Sequence, residues 1–172
     1  MPAGVALFPE PEFAERVERL RDELAVTLGV EREPTPPHVS LRVATGYDTA
    51  VPEALVDVSV STDPFSLTTS GLGVFTATGV VYLPVARSCP LVELHERVAS
   101  VVAPHVTAPN DYYTDERWIP HVTLAQGLDG ETAAAAVELL GDRDHAHTFE
   151  VEALGLLDHP AGDPVTVERF PL

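Results

Sequence analysis

One pattern, Pro-His-Val-Ser/Thr-Leu, occurs twice in the chain, as Pro37-His38-Val39-Ser40-Leu41 and as Pro120-His121-Val122-Thr123-Leu124. Apolar and polar residues alternate in both copies, so each reads as a short β-strand whose successive side chains point to opposite faces. Val39 with Leu41, and Val122 with Leu124, are directed into a core, while the imidazole and the hydroxyl share the other face. The leading proline lacks an N–H and suits the first residue of a strand. Any fold for this chain has to accommodate the same device twice: a histidine and a hydroxyl on one face of an apolar strand.

The residues around the two copies follow one plan. A strand at Val5 to Phe8 leads to a helix from Pro11 to about Leu28, with Phe13, Val17, Leu20, Leu24 and Leu28 on one stripe and Gly29 ending it. The first His strand follows. Asp48 to Val60 reads equally as helix, with Pro52 in its first turn, or as extended chain. Phe65 to Thr69 and Val80 to Val85 alternate as strands, with Gly71, Gly73 and Gly79 marking turns between them. In the second half a helix from about Pro90 to Val102, capped by Ser88, precedes the second His strand. A further helix opens at Asp129-Gly130, carries Ala133, Ala136, Val137 and Leu140, and stops at Gly141; strands at Phe149 to Leu156 and Val165 to Phe170 complete the order. The expectation is an α+β domain over residues 1–172: a bilobal, pseudo-duplicated fold of two small, mainly antiparallel sheets backed by helices, with the two His strands lining a central cleft.

Charge limits what the cleft can hold. The net charge is −17, and all ten basic residues are arginines. A field of that sign opposes binding along a long nucleic acid, which draws its free energy from many cationic contacts to phosphates. A small nucleotide or a single RNA end is still admissible. The first ten residues carry no basic region, and no run approaches the length of a membrane span, so a cytoplasmic monomer without membrane contact is expected. Cys89 is the only cysteine. It cannot form an internal disulfide, and it reads as a small buried residue.

Two imidazoles that titrate near neutrality can divide the cleavage of a phosphodiester, one taking a proton from the nucleophile while the other protonates the departing oxygen; this needs neither metal nor cofactor. Ser40 and Thr123 can donate to the non-bridging phosphate oxygens. Arg42 falls two residues past Ser40 and is a candidate for a bidentate phosphate contact; the equivalent position in the second copy is Ala125. The surrounding carboxylates are expected to favour protonated imidazole and to raise both limbs of the pH profile.

These motifs resemble the signature of the 2H phosphoesterase superfamily, the 2'-5' RNA ligase and cyclic-nucleotide phosphodiesterase group, in which two His-x-Thr/Ser-x motifs stand in a bilobal fold. The resemblance spans essentially the whole chain. It implies that His38 and His121 are the catalytic acid and base and that Ser40 and Thr123 bind phosphate. The implied reaction is hydrolysis of a 2',3'-cyclic phosphate to a 2'-phosphate, or its ATP-independent reversal into a 2'-5' linkage. Ser40 stands for the more usual Thr, Gln126 stands where bacterial RNA-processing members often carry Arg, and the first motif continues Arg42-Val43-Ala44-Thr45-Gly46 without the aromatic-Leu-Gly run frequent in those members. A generic phosphodiesterase is therefore favoured, with a non-catalytic phosphate-binding module as the second reading and an RNA ligase as the third.

The remaining histidines and aromatics are assigned by context. His145 and His147 are read as loop residues rather than metal ligands, for want of a third ligand at metal-site spacing. His95, His105 and His159 are read as surface or capping residues. Tyr112 and Tyr113, in the polar loop before the second motif, are preferred for stacking a base over Tyr47, Phe75, Tyr82 and Trp118, and Trp118 is read as a packing residue.

Overall fold

The computed structural model of the chain describes residues 3–158 and 166–172. Val165 and His159 lie outside the described residues. Nine strands and four helices are described, in the order β1 (Ala3–Pro9), α1 (Pro11–Leu28), β2 (Val39–Tyr47), α2 (Val51–Val60), β3 (Ser66–Thr68), β4 (Gly73–Phe75), β5 (Val80–Pro84), α3 (Cys89–Val102), β6 (Val106–Pro109), β7 (His121–Ala125), α4 (Gly130–Leu140), β8 (Thr148–Asp158) and β9 (Thr166–Pro171). Among them α1 runs over the expected span, because Phe13, Val17, Leu20 and Leu24 form one buried stripe and Gly29 ends it in the left-handed conformation at φ 67°. The ambiguous segment after Asp48 is helical. Pro52 occupies its first turn, where a missing N–H costs no helical hydrogen bond.

The strands form two antiparallel sheets. The larger runs β3-β8-β1-β2-β6, with β9 also on β8, and the smaller runs β4-β5-β7. The α+β class with two sheets is as expected, but the division of the chain differs from a simple split into halves. The last two strands return to the first sheet: β8 pairs with β1 from Ala3↔Asp158 to Pro9↔Val151. The duplicated units are β1-α1-β2-α2 and β5-α3-β7-α4, and they exchange helices. Helix α1 packs on β7 and α4, while α3 packs on β2 and α2, so the first helix of each unit covers the sheet of the other. One continuous core results, running from Val5, Leu7 and Leu41 to Leu83, Val122 and Leu124. At roughly 1.5–3 kcal/mol for each fully buried large aliphatic side chain, this shared core dominates the stabilisation of both sheets.

Several local expectations are corrected. Gly73, read as a turn, lies in β4 opposite Tyr82, whose ring occupies the space a β-carbon there would need. Strand β6 forms within the stretch read as a loop, antiparallel to β2. Ser88 stands at the N-cap of α3 but makes no side-chain cap bond; Pro90 removes one of the N–H groups that such a cap uses. Cys89, the first residue of that helix, is exposed rather than buried. No described helix is long and apolar enough to cross a membrane.

The duplication extends to a defect in the ladder. Between β1 and β2, Val5 faces Arg42 and Ala6 faces Ser40, leaving Leu41 as the extra residue of a β-bulge. Between β5 and β7, Val81 faces Ala125 and Tyr82 faces Thr123, leaving Leu124 in the same place. Bulges bend a strand and re-aim its neighbours, and these two lie immediately after the paired hydroxyls.

Candidate active site

His38 directly precedes β2 and His121 opens β7, and one contact fixes both rings. His38 Nδ1 lies 2.8 Å from the Pro36 carbonyl, and His121 Nδ1 lies 2.7 Å from the Ile119 carbonyl. A carbonyl can only accept, so each Nδ1 carries its hydrogen and, in the neutral ring, each Nε2 presents a lone pair. The two histidines are close enough for a proton on His121 to disfavour one on His38.

The walls around the rings are aromatic. The Phe8 ring centroid is 6.3 Å from that of His38, Phe75 meets His121 edge-on at 5.0 Å, and Tyr82 lies 5.1 Å from His121. Burial consequently pushes His38 down to about 4. The Pro36 carbonyl and Glu33 act upward, and Arg21 and His121 act downward. Burial also lowers His121, opposed by its bond to Ile119. The expectation that surface carboxylates would raise both groups is thus reversed, because desolvation by burial outweighs a field screened by water.

The hydroxyl residues are held through their backbones. Trp118 Nε1 donates to the Ser40 carbonyl at 2.9 Å, and the Arg21 guanidinium donates to the Thr123 carbonyl at 3.1 and 2.8 Å. Arg42 is anchored on the Tyr113 carbonyl at 2.8 Å, and its Nε is buried without a partner among the described residues. His95 Nε2 donates to that same carbonyl at 3.1 Å. His95 is not at the surface: its ring is buried and stacks on Trp118 at 3.9 Å and 10°. Trp118 is a packing residue, as read, and also a donor.

Of the aromatics preferred from the sequence, Tyr113 offers its backbone carbonyl to Arg42 and His95, and burial pushes its phenol up, partly offset by the Ser40 side chain. Tyr112 is 65% exposed, with Arg117 stacked on it. The half-buried Phe75, ranked from the sequence below Tyr112 and Tyr113, stands beside His121. Arg169 of β9 was missed. Its guanidinium covers the Phe8 ring at 4.4 Å, which places a cation on the same sheet face as His38. His145 lies in a loop but is buried, with Nε2 donating to the Leu140 carbonyl at the end of α4. His105 pairs with Asp48 at 2.9 Å.

The model of the 2'-5' RNA ligase superfamily matches residues 9–163, most of the chain, including both histidine motifs. The chain belongs to the 2'-5' RNA ligase superfamily. The resemblance seen in the repeated motifs is borne out over nearly the full length of this superfamily member. Its fold is similar to that of TT0787 from Thermus thermophilus, with 17% identity, 100% of this chain and 98% of that one covered, and a TM-score of 0.66. It is also similar to E. coli LigT complexed with 3'-AMP, with 16% identity, coverage of 99% and 93%, and a TM-score of 0.64. No curated protein matches the sequence. In this superfamily member the Gln126 side chain is directed to Glu33 Oε2, at 2.7 Å.

Proposed function

We propose that the protein is a metal-independent phosphodiesterase that hydrolyses a 2',3'-cyclic or 2'-5' phosphodiester of a nucleotide or RNA end. The observation that carries this reading is the matched pair of imidazoles, each fixed through Nδ1 on the carbonyl two residues before it and each followed by a hydroxyl two residues on. In hydrolysis of the cyclic ester, water attacks phosphorus and gives a proton to one Nε2. The bond from phosphorus to the 3'-oxygen breaks, and the second imidazolium protonates that oxygen, leaving a 2'-phosphate. His38, the more strongly shifted of the two, is the base, and His121 is the acid. Both rings are largely neutral at pH 7 in the free protein, and the charge of the incoming phosphate favours the proton His121 needs.

Ser40 and Thr123 donate to the non-bridging oxygens, with Arg42 and Tyr113 beside Ser40. Solved complexes of LigT with 3'-AMP and with phosphate accord with a small nucleotide as ligand. With Gln126 engaged by Glu33, no cation stands at that position to hold a second RNA strand, which favours hydrolysis over ligation. Phosphorus NMR of a 2',3'-cyclic mononucleotide in chelator-containing buffer tests the proposal. Conversion to the 2'-phosphate is expected with the wild type and is lost in His38→Ala and His121→Ala. Micromolar binding without conversion would establish the binding module instead, and accumulation of joined RNA ends would establish the ligase.

A further inference from the structure

Ser40 and Thr123 immediately precede the two bulges, and the carbonyl of each accepts from a buried side chain. Each of these side chains comes from the opposite repeat. Trp118, from the loop ahead of the second motif, donates to Ser40 of the first motif. Arg21, from the helix that follows β1, donates twice to Thr123 of the second motif, and its remaining arm donates to the Thr35 carbonyl at 2.5 Å, three residues before His38. We infer that Arg21 and Trp118 are reciprocal positioning residues, each half of the chain setting the phosphate-binding hydroxyl of the other, so that the distance across the cleft is fixed by two crossed braces. The inference rests on the phosphodiesterase reading for its catalytic consequence but not for its structural one.

Burial makes the braces rigid. Arg21 is 1% and Trp118 2% exposed. Trp118 stacks on the His95 ring, and the Arg87 guanidinium lies 5.7 Å from its ring centroid. Arg21 is compensated by Glu18 at 3.5 Å and by the nearby Glu33, itself buried. Glu33 accepts from the Thr35 amide at 3.2 Å, the Thr35 hydroxyl at 2.6 Å and Gln126 at 2.7 Å, which ties the approach to His38 to the end of β7 a second time. A buried guanidinium with this many acceptors has little freedom, and its fork geometry is not reproduced by lysine.

The test is a set of double-mutant cycles on turnover of 2',3'-cyclic AMP. Trp118→Phe keeps the ring stack and removes only the N–H; it is expected to lower kcat/KM about tenfold, the scale of one lost hydrogen bond at a site of charge development. That loss should vanish in a Ser40→Ala background and persist in Thr123→Ala. Arg21→Lys should show the mirror pattern, its loss vanishing with Thr123→Ala and persisting with Ser40→Ala. Equal losses in both backgrounds, which general loosening of the fold would produce, overturn the inference. Amide hydrogen exchange supplies an arm that needs no activity. Trp118→Phe should speed exchange around Ser40–Arg42 and Arg21→Lys around Thr123–Ala125, in proteins whose circular dichroism is that of the wild type. Uniform or absent changes would refute the braces even if the protein hydrolyses nothing, whereas crossed changes without turnover would retain them and refute only the phosphodiesterase reading.

Discussion

The lowered His38 makes a stability prediction that can be read without any substrate. In the unfolded chain the ring titrates at its ordinary 6.5, and in the folded protein at about 4. Between those values the unfolded state binds more protons, so stability rises with pH through this window and is lost as pH falls from 6.5 toward 4. At about 1.4 kcal/mol per pH unit of separation, the loss from this one group is about 2 kcal/mol by pH 5 and about 3 kcal/mol by pH 4. The 27 acidic residues also titrate there, so the quantity to measure is a difference. Urea unfolding of the wild type and of His38→Gln, at half-unit steps from pH 4 to 7.5, should show the variant losing about 3 kcal/mol less than the wild type over that range, the carboxylate contributions cancelling. A difference between the two proteins that is constant with pH would refute the account of His38 as a desolvated, neutral imidazole.

The profile of kcat/KM for a 2',3'-cyclic nucleotide is expected to be a bell lying on the acid side of 6.5, since both rings are lowered and activity needs one protonated and one neutral; a maximum above pH 7 would contradict it. Phe75→Ala should raise KM about tenfold with a smaller change in kcat, on the scale of ~1–3 kcal/mol for one stacked base, and an unchanged KM would move the base subsite elsewhere. Gly79→Ala should destabilise the protein by about 2–4 kcal/mol in thermal melts, because residue 79 has φ +62° and a β-carbon there would lie 1.9 Å from the Leu128 carbonyl oxygen.

What the sequence revealed of this molecule was local in origin. The limits of α1 followed from the stripe Phe13 to Leu28 between Pro11 and Gly29, and the His strands from strict alternation next to proline. Interactions between distant segments were hidden. Nothing in residues 148–158 states that they pair with residues 3–9, or that α1 crosses to the sheet of the second motif. The burial of Arg21 did leave a trace, since position 21 lies four residues after Val17 and three before Leu24 on the apolar stripe, where a charged residue is costly unless paired. His95 had a similar place between Leu91 and Val98, yet its stacking on Trp118 required the tertiary fold. The sign of the histidine shifts escaped the sequence for the same reason: charge can be counted in a sequence, whereas the burial that lowers both rings is created only when separate strands come together.

The pairing of β1 with β8 orders events during synthesis. All seven residues of β1 are buried in the finished protein, yet the strand that covers its second edge is translated some 140 residues later. Both histidines, both hydroxyls and both braces emerge from the ribosome before the sheet that seats the first of them is complete. A nascent chain stalled after β7 thus carries every group that the proposed chemistry uses, with one edge of β1 still uncovered, and is at that stage open to pairing with another chain.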